Sequence, residues 1–162
     1  MDLTFKVANK NDVQIIHQLA DKIWRKHYPS IISIKQIEYM LQKMYSEAAL
    51  LKQMEGGHEF TLALLNTIPV GYSSLNKTDT TNYFLHKFYV DVTYHRLGIG
   101  SKLFNYIVSK LPLASSIELT VNRKNYEAIN FYFKNGFVIR AIADVDIGND
   151  YFMNDFVMIR NG

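Results

Sequence analysis

The chain has 162 residues, of which 48% are hydrophobic and 20% are charged, and it contains no cysteine. These values are typical of a globular chain that buries a core without disulfides, and they exclude a disordered protein, a disulfide framework and a cysteine nucleophile. The formal charge of +3 at pH 7 comes from scattered Lys and Arg, which suits a small polyanion and does not demand nucleic acid.

The N-terminal half predicts a strand, two helices and a hairpin. Alternating apolar residues predict the strand, and apolar residues at helical spacing predict the helices, which Pro29 separates. Two short β-branched and aromatic runs predict the hairpin. In chain order these elements cover residues 3–8, 13–24, 34–44, 59–66 and 70–76. No apolar run approaches the ~18 residues of a membrane span, and the first residues lack the profile of a signal peptide, so we expect a cytoplasmic protein.

The C-terminal half begins with a long predicted strand that leads through a glycine turn into a helix. A short strand, another helix and a final hairpin follow. In chain order these elements cover residues 82–92, 98–110, 116–121, 125–135, 137–147 and 151–160. The element order β-αα-βββ-α-β-α-ββ predicts a mixed α/β fold in a single domain that spans residues 1–162.

The glycine turn covers residues 95–101, with the sequence His-Arg-Leu-Gly-Ile-Gly-Ser. A helix N-terminus leaves its first N–H groups without intrahelical acceptors and attracts phosphate, and glycine lets the backbone approach an anion closely. The turn is neither a P-loop, because Gly-Lys-Ser/Thr is missing, nor a dinucleotide fingerprint, because position 103 is Leu. These residues alone leave two alternatives: an anion-binding turn, or a tightly packed connection between strand and helix.

Two blocks of the sequence together resemble the GNAT acetyltransferase superfamily. The first block is Gln/Arg-x-x-Gly-x-Gly/Ala at the start of a helix, and it appears at residues 95–100 with His95 at its first position. The second block, Asn-x-x-Ala-x-x-Phe-Tyr followed by Gly-Phe, is complete between Asn125 and Phe137. With the element order, the resemblance covers essentially the whole chain. It implies the GNAT acyl-CoA N-acyltransferase fold, which has a central, mostly antiparallel sheet of about seven strands with helices on both faces.

The resemblance also implies acetyl-CoA as the acetyl donor and indicates where it binds. The pantetheine arm would pair with a strand edge, and the pyrophosphate would meet the backbone amides of the glycine turn. Candidates for the remaining phosphate charge are four basic residues that are equally consistent with a solvated surface: Arg96, Lys102, Arg123 and Lys124. The implied cofactor-binding residues are Phe88, Tyr89, Val90, Arg96, Leu97, Gly98, Ile99, Gly100, Ser101, Asn125 and Tyr132.

Acetyl transfer to an amine requires a base, a donor to the developing oxyanion and an acid for the leaving thiolate. The resemblance assigns the acid to Tyr132 and the oxyanion donor to the backbone N–H of Phe88. His86 is the candidate base, because an imidazole pKa near ~6.5 suits proton removal around neutrality, although a structural strand histidine is the alternative. Glu118 is a second candidate, and Thr120 occupies the position where branches that acetylate protein N-termini often have Glu.

We therefore expect direct acetyl transfer from acetyl-CoA to a primary amine of a small molecule, most similar to bacterial polyamine and small-amine acetyltransferases. In this resemblance residues 21–41 select the acceptor, with Asp21 and Glu38 as candidate ammonium partners. The alternatives are a protein or peptide amine acetyltransferase and a catalytically silent acyl-CoA-binding regulatory module. No metal is expected, because the five histidines show no ligand spacing. Neither a nucleic acid nor a membrane is an expected partner, and superfamily relatives are often homodimers.

Overall fold

A computed structural model describes residues 2–162, and within them the chain forms seven β-strands and five α-helices. The strands are β1 (Leu3–Val7), β2 (Glu59–Leu65), β3 (Ile68–Lys77), β4 (Asn82–Val90), β5 (Ser116–Asn122), β6 (Val138–Gly148) and β7 (Tyr151–Arg160). The helices are α1 (Val13–His27), α2 (Ile34–Tyr45), α3 (Glu47–Glu55), α4 (Ile99–Ser109) and α5 (Tyr126–Lys134). A 3-10 turn, Val92–Tyr94, follows β4.

The strands form one sheet in the order β1-β2-β3-β4-β5-β7-β6. β4 pairs with β5 in parallel. The ladders β1/β2, β2/β3, β5/β7 and β6/β7 are antiparallel. The prediction of a mixed α/β fold with a mostly antiparallel sheet of about seven strands is therefore confirmed.

The chain divides into two compact units. The first unit contains the chain up to Asn76 together with Lys87–Leu111, and the second contains Lys77–His86 and Pro112–Gly162. Strand β4 therefore contributes its first residues to the second unit and its last residues to the first. Among the helices of the described chain, none combines the length and hydropathy needed to cross a bilayer.

The first unit has helices on both faces of its strands. Phe88 and Val90 pack against the buried apolar cluster that α4 forms with β2 and β3. Tyr89 contacts the ring of Trp24 on α1, with ring centroids 5.9 Å apart. Because successive residues of a strand point to opposite faces, β4 contributes side chains both to the face covered by α4 and to the face covered by α1. The core members of the α4 face are Ala63, Leu65, Val70, Ile99, Leu103 and Ile107.

Most of the buried apolar side chains of the second unit lie on β5, β7 and α5. Helix α5 ends at Lys134, and Gly136 follows with a left-handed φ of +86°. Glycine adopts this conformation without a Cβ penalty, which makes it the usual residue just after a helix. The buried apolar residues of this unit include Ile117, Leu119, Val121, Ile129, Tyr132, Phe137 and Met158.

The structure differs from the predicted elements in two places. Helix α3 was not predicted, although Ser46 caps it by accepting a hydrogen bond from the Ala49 N–H at 3.3 Å. The strand predicted over residues 82–92 ends at Val90. It ends there because the Asp91 carboxylate accepts the Thr93 N–H at 2.9 Å and thereby starts the 3-10 turn.

Candidate active site

The C-terminal part of β4 extends beyond its ladder with β5. This ladder pairs residues 82–84 with residues 116–118, and within the described chain it ends there, although β4 continues to Val90. We call the edge of residues 85–90 that faces away from β3 the β4 edge. The backbone groups of the β4 edge therefore lie outside the β4–β5 ladder.

Pairing with β3 determines which residues present backbone groups at the β4 edge. The Asp91 N–H donates to the Val70 carbonyl on β3 at 2.8 Å. Backbone groups of successive strand residues point to opposite edges, so Tyr89 also faces β3, whereas Phe88 and Val90 face the β4 edge. This direction agrees with the Tyr89 carbonyl oxygen, which lies 2.8 Å from a Cβ built on Gly71 of β3.

The structure thus separates the three strand residues that were expected to meet the pantetheine arm. The backbone direction favours Phe88 and Val90. For Tyr89 the contact with the donor stays a prediction; its backbone faces β3, and its ring packs among those of Trp24, Tyr28 and Tyr72. Its hydroxyl also lies 3.0 Å from that of Tyr28.

The glycine turn contains two left-handed residues at the N-terminus of α4. Arg96 has a φ of +64° and Gly98 a φ of +75°. A Cβ built on Gly98 would meet no atom within 4 Å, so its backbone angle, not its packing, favours glycine. Ile99, Gly100 and Ser101 form the first turn of α4, where N–H groups have no intrahelical acceptor. Left-handed residues beside such N–H groups are typical of an anion-binding concavity.

The side chains around the turn differ in exposure. Ile99 is buried in the core, whereas Arg96, Leu97, Ser101 and Lys102 are exposed. The Arg96 and Lys102 side chains are thus accessible to an anion at the turn.

Two side chains, Asp91 and His95, make polar contacts within the segment between β4 and α4 that the sequence analysis did not predict. Asp91 is 1% exposed, accepts the Thr93 N–H and lies 2.5 Å from Nζ of Lys22. Burial alone would raise the pKa of Asp91, but Lys22 and the Thr93 N–H outweigh it and hold the pKa below its ordinary value. Nε2 of His95 lies 2.8 Å from the Val90 carbonyl oxygen. The hydrogen bond between the Asp91 carboxylate and the Thr93 N–H has a sequence signal, because an Asp directly after a strand often accepts the N–H two residues further on.

Tyr132 and Asn125 belong to α5 in the second unit. Tyr132 is 7% exposed, and its ring lies 5.4 Å from that of Phe137. Asn125 is buried and caps α5 by accepting the Ala128 N–H at 3.4 Å. The local packing gives both residues a structural role, and their contact with the cofactor stays a prediction.

The candidate bases differ in accessibility. His86 is exposed, and its imidazole centroid lies 4.6 Å from the ring of Phe84. The Glu118 carboxylate is engaged by Arg140 at 2.7 Å. The structure thus shows His86 as the more solvent-exposed of the two candidates, and the role of each stays a prediction.

Comparison with known proteins assigns the family. Residues 16–137 match the profile of the Acetyltransferase (GNAT) family, a span that contains both the glycine turn and α5. The chain belongs to the GNAT family. It is therefore an acetyltransferase, and the resemblance seen in the sequence is confirmed.

Individual GNAT relatives agree with this assignment. The spermidine N(1)-acetyltransferase of Thermoplasma acidophilum is 25% identical over 162 residues, which cover 94% of this chain and 96% of the relative. An uncharacterized N-acetyltransferase of Mycobacterium bovis is 33% identical over 93 residues, which cover 56% of this chain and 59% of the relative. The crystal structure of the PaiA N-acetyltransferase from Thermoplasma acidophilum, in complex with coenzyme A, has the same fold, with a TM-score of 0.83, 24% identity and full coverage of both chains.

The two carboxylates expected to bind the acceptor ammonium of this GNAT enzyme converge on one arginine. Arg25 Nε lies 3.0 Å from a carboxylate oxygen of Asp21, and Arg25 Nη1 lies 3.7 Å from Glu38. All three side chains are about half exposed. The structure thus joins α1 and α2 through a surface ion-pair network that contains both carboxylates.

Ionisable groups lie buried in each unit where the sequence suggested none. In the first unit Lys87 is 7% exposed, with Nζ 4.9 Å from the ring centroid of Tyr45, and burial lowers its pKa to about 8. In the second unit burial raises the pKa of Asp155 to about 6, although Arg123 and Thr120 favour its carboxylate form. Arg123 is also ion-paired with Asp144 at 2.8 Å, which reduces its availability for a phosphate.

Within residues 2–162, His, Asp and Glu side chains do not gather in groups of three or more that could hold a metal ion.

Proposed function

We propose that residues 1–162 form a single-domain N-acetyltransferase that moves the acetyl group of acetyl-CoA directly to a primary amine of a small molecule. The observation that carries this proposal is that two features follow one another along the chain. Strand β4 continues beyond its ladder with β5, and a turn with left-handed Arg96 and Gly98 then opens α4. A pantetheine arm can add to a strand edge, and a pyrophosphate suits a helix N-terminus.

The donor-binding roles follow from the direction of the backbone groups. The Phe88 carbonyl and the Val90 N–H would pair with the amides of the pantetheine arm. The Phe88 N–H would donate to the thioester oxygen and stabilise the oxyanion that forms during attack. The amides of residues 96–101 would hold the pyrophosphate, and the exposed Arg96 and Lys102 side chains add positive charge beside it.

The chemical step is nucleophilic attack of a neutral amine on the thioester carbon. His86 would take the proton from the acceptor ammonium, directly or through water. The carbon–nitrogen bond forms, the carbon–sulfur bond breaks, and Tyr132 would protonate the leaving thiolate. The attacking nitrogen loses its second proton as the amide forms, and that proton would restore the Tyr132 phenol, directly or through water. The products are an N-acetylated amine and free coenzyme A.

A small amine is the acceptor that the chain's relatives support. The spermidine N(1)-acetyltransferase aligns over nearly the full length of both chains. Asp21 and Glu38, which converge on Arg25, would become ammonium partners if the arginine moved aside for a cationic substrate. The acceptor is therefore proposed to be polyamine-like or another primary amine.

Donor binding is tested with two matched glycine variants. Gly98→Ala and Gly57→Ala both place a Cβ at positive φ, +75° and +92°, where no atom lies within 4 Å. Both should lower stability by the same ~1–2 kcal/mol of left-handed strain. Acetyl-CoA at a hundred times its dissociation constant should stabilise the wild type and Gly57→Ala by ~2.7 kcal/mol. The shift should be lost or strongly reduced in Gly98→Ala alone, and an equal shift in both variants would place the donor elsewhere.

Acetyl transfer is tested by release of free thiol from acetyl-CoA. The acceptors are spermidine, spermine, arylalkylamines and a peptide with a free N-terminus. Turnover with a small amine supports the proposal. Turnover confined to the peptide would make the chain a protein acetyltransferase, and donor binding without turnover on any amine would make it a silent acyl-CoA-binding module.

A further inference from the structure

The imidazole of His95 folds back onto the end of the strand that precedes it. His95 follows the 3-10 turn Val92–Tyr94, and its Nε2 lies 2.8 Å from the Val90 carbonyl oxygen. A carbonyl oxygen only accepts hydrogen bonds, so Nε2 carries the proton and donates it. The side chain thereby closes a loop from Val90 to His95, immediately before the left-handed Arg96.

The carbonyl that His95 engages belongs to the β4 edge. Asp91 turns its N–H towards Val70 on β3, so the backbone groups of Val90 face the opposite edge. His95 therefore occupies the last carbonyl of that edge. For a pantetheine arm the acceptor that precedes it along the edge is the Phe88 carbonyl.

Asp91 makes further contacts in the same loop. Its carboxylate accepts the Thr93 N–H and pairs with Lys22, and Lys26 donates to the Thr93 hydroxyl at 3.3 Å. Ordering a loop before its ligand arrives lowers the entropic cost of binding. Of these contacts, the one made by His95 links the β4 edge, at Val90, to the first residue of the glycine turn.

We propose that His95 is a positioning residue for the donor, which rests on the proposed binding of acetyl-CoA. Its Nε2–H holds the turn of residues 96–101 at a fixed distance from the β4 edge, so that one ligand can meet both. It also closes the Val90 carbonyl to the pantetheine arm. His95 takes no part in bond making, and its contribution does not depend on a positive charge.

Three variants separate this role from plain packing and from a direct contact with phosphate. His95→Phe keeps a ring and removes the donor, and His95→Leu removes the donor with a smaller side chain. His95→Gln keeps an N–H donor without the imidazole and without its charge. His17→Phe is the matched control, because Nδ1 of His17 lies 2.7 Å from the Tyr45 carbonyl oxygen, a contact of the same kind elsewhere in the first unit.

The measurements are the dissociation constant of coenzyme A by calorimetry, and KM and kcat for acetyl-CoA. His95→Phe and His95→Leu should raise the dissociation constant and KM by up to about tenfold, as expected for one lost hydrogen bond. Their kcat should stay within about twofold of the wild type, because the lost contact binds the donor equally in the ground state and in the transition state. His95→Gln and His17→Phe should bind coenzyme A within about twofold of the wild type.

Three outcomes decide the proposal. Wild-type affinity in His95→Phe, or in His95→Leu should the other variant fail to fold, would overturn it. Equal weakening in His95→Gln and His95→Phe would also overturn it, because the loss would then follow the imidazole and not the donor. A wild-type protein that does not bind coenzyme A would instead refute the proposed function.

Discussion

The ammonium of Lys22 on α1 lies 2.5 Å from Oδ2 of Asp91, the residue between β4 and the turn that opens α4. Asp91 is buried, whereas the Lys22 side chain is half exposed. A buried carboxylate requires a partner, and within its own loop Asp91 is contacted by Thr93, whose N–H it accepts at 2.9 Å. Helix α1 therefore stabilises the loop that carries the proposed donor site, although it contributes no residue to the turn itself.

Removal of the Lys22 ammonium should destabilise the protein and loosen this loop. Lys22→Met leaves the Asp91 carboxylate buried without its cation, which should cost roughly 1–3 kcal/mol of unfolding free energy. The double variant Lys22→Met/Asp91→Asn should recover part of the loss, because the unpaired charge is gone. The matched control is Lys10→Met, since Lys10 and Glu55 form an exposed pair at 3.6 Å. Urea denaturation measures all three, and equal stabilities of the Lys22 and Lys10 variants would contradict the prediction.

Replacement of Tyr132 by Phe should separate turnover from donor binding. The variant keeps the buried ring beside Phe137 and removes one hydroxyl. If that hydroxyl protonates the thiolate, kcat should fall by ~10²–10⁴, with the dissociation constant of acetyl-CoA unchanged within about twofold. Tyr126→Phe is the control on the same helix, because Tyr126 is 70% exposed. Wild-type turnover in Tyr132→Phe would return this residue to a purely structural role.

The pH dependence of kcat/KM should identify His86 as the base. The wild-type rate should rise with pH as the base loses its proton. His86→Gln should bind acetyl-CoA normally, lose most of its activity at neutral pH and recover partly at alkaline pH, where more of the amine is already neutral. Superimposable profiles of the two proteins would leave proton loss to water or to the free amine in solution.

Local sequence patterns were sufficient for the strand, the glycine turn and the helix that form the proposed donor site. Alternation and helical spacing act over a few residues, and the left-handed φ of Gly98 has a direct signature in its residue type. Residues 95–101 therefore lie where the sequence predicted them. The same reasoning missed α3, whose Ser46 cap follows α2 without a break.

Contacts between distant segments could not be predicted in this way. The pairing of Lys22 with Asp91 depends on how α1 packs, and the direction of the Tyr89 backbone depends on β3. The position of Lys87 between His86 and Phe88 gives no sign that it will be buried. Lys87 was for this reason not recognised as an unusual group.

Lys87 should make the stability of the protein increase with pH. Its pKa in the folded state is about 8, below the ordinary value of 10.5, because burial disfavours the ammonium. Between these values the unfolded chain binds more protons than the folded one, so unfolding free energy rises as pH rises from about 8 and the penalty is fully present below it. The gain is at most about 3 kcal/mol, and the contact of the ammonium with the Tyr45 ring offsets part of the penalty.

Lys87→Met tests this linkage, because methionine fills similar space and carries no charge. The variant should be more stable than the wild type at pH 7, and the difference should shrink steadily in urea denaturation between pH 7.5 and 9.5. Lys43→Met is the control, since Lys43 also lies over a ring, that of Tyr39 at 5.5 Å, but is exposed. Its stability should differ from the wild type by the same small amount at every pH. Parallel curves for Lys87→Met and the wild type would mean that the Lys87 ammonium keeps its ordinary pKa in the folded protein.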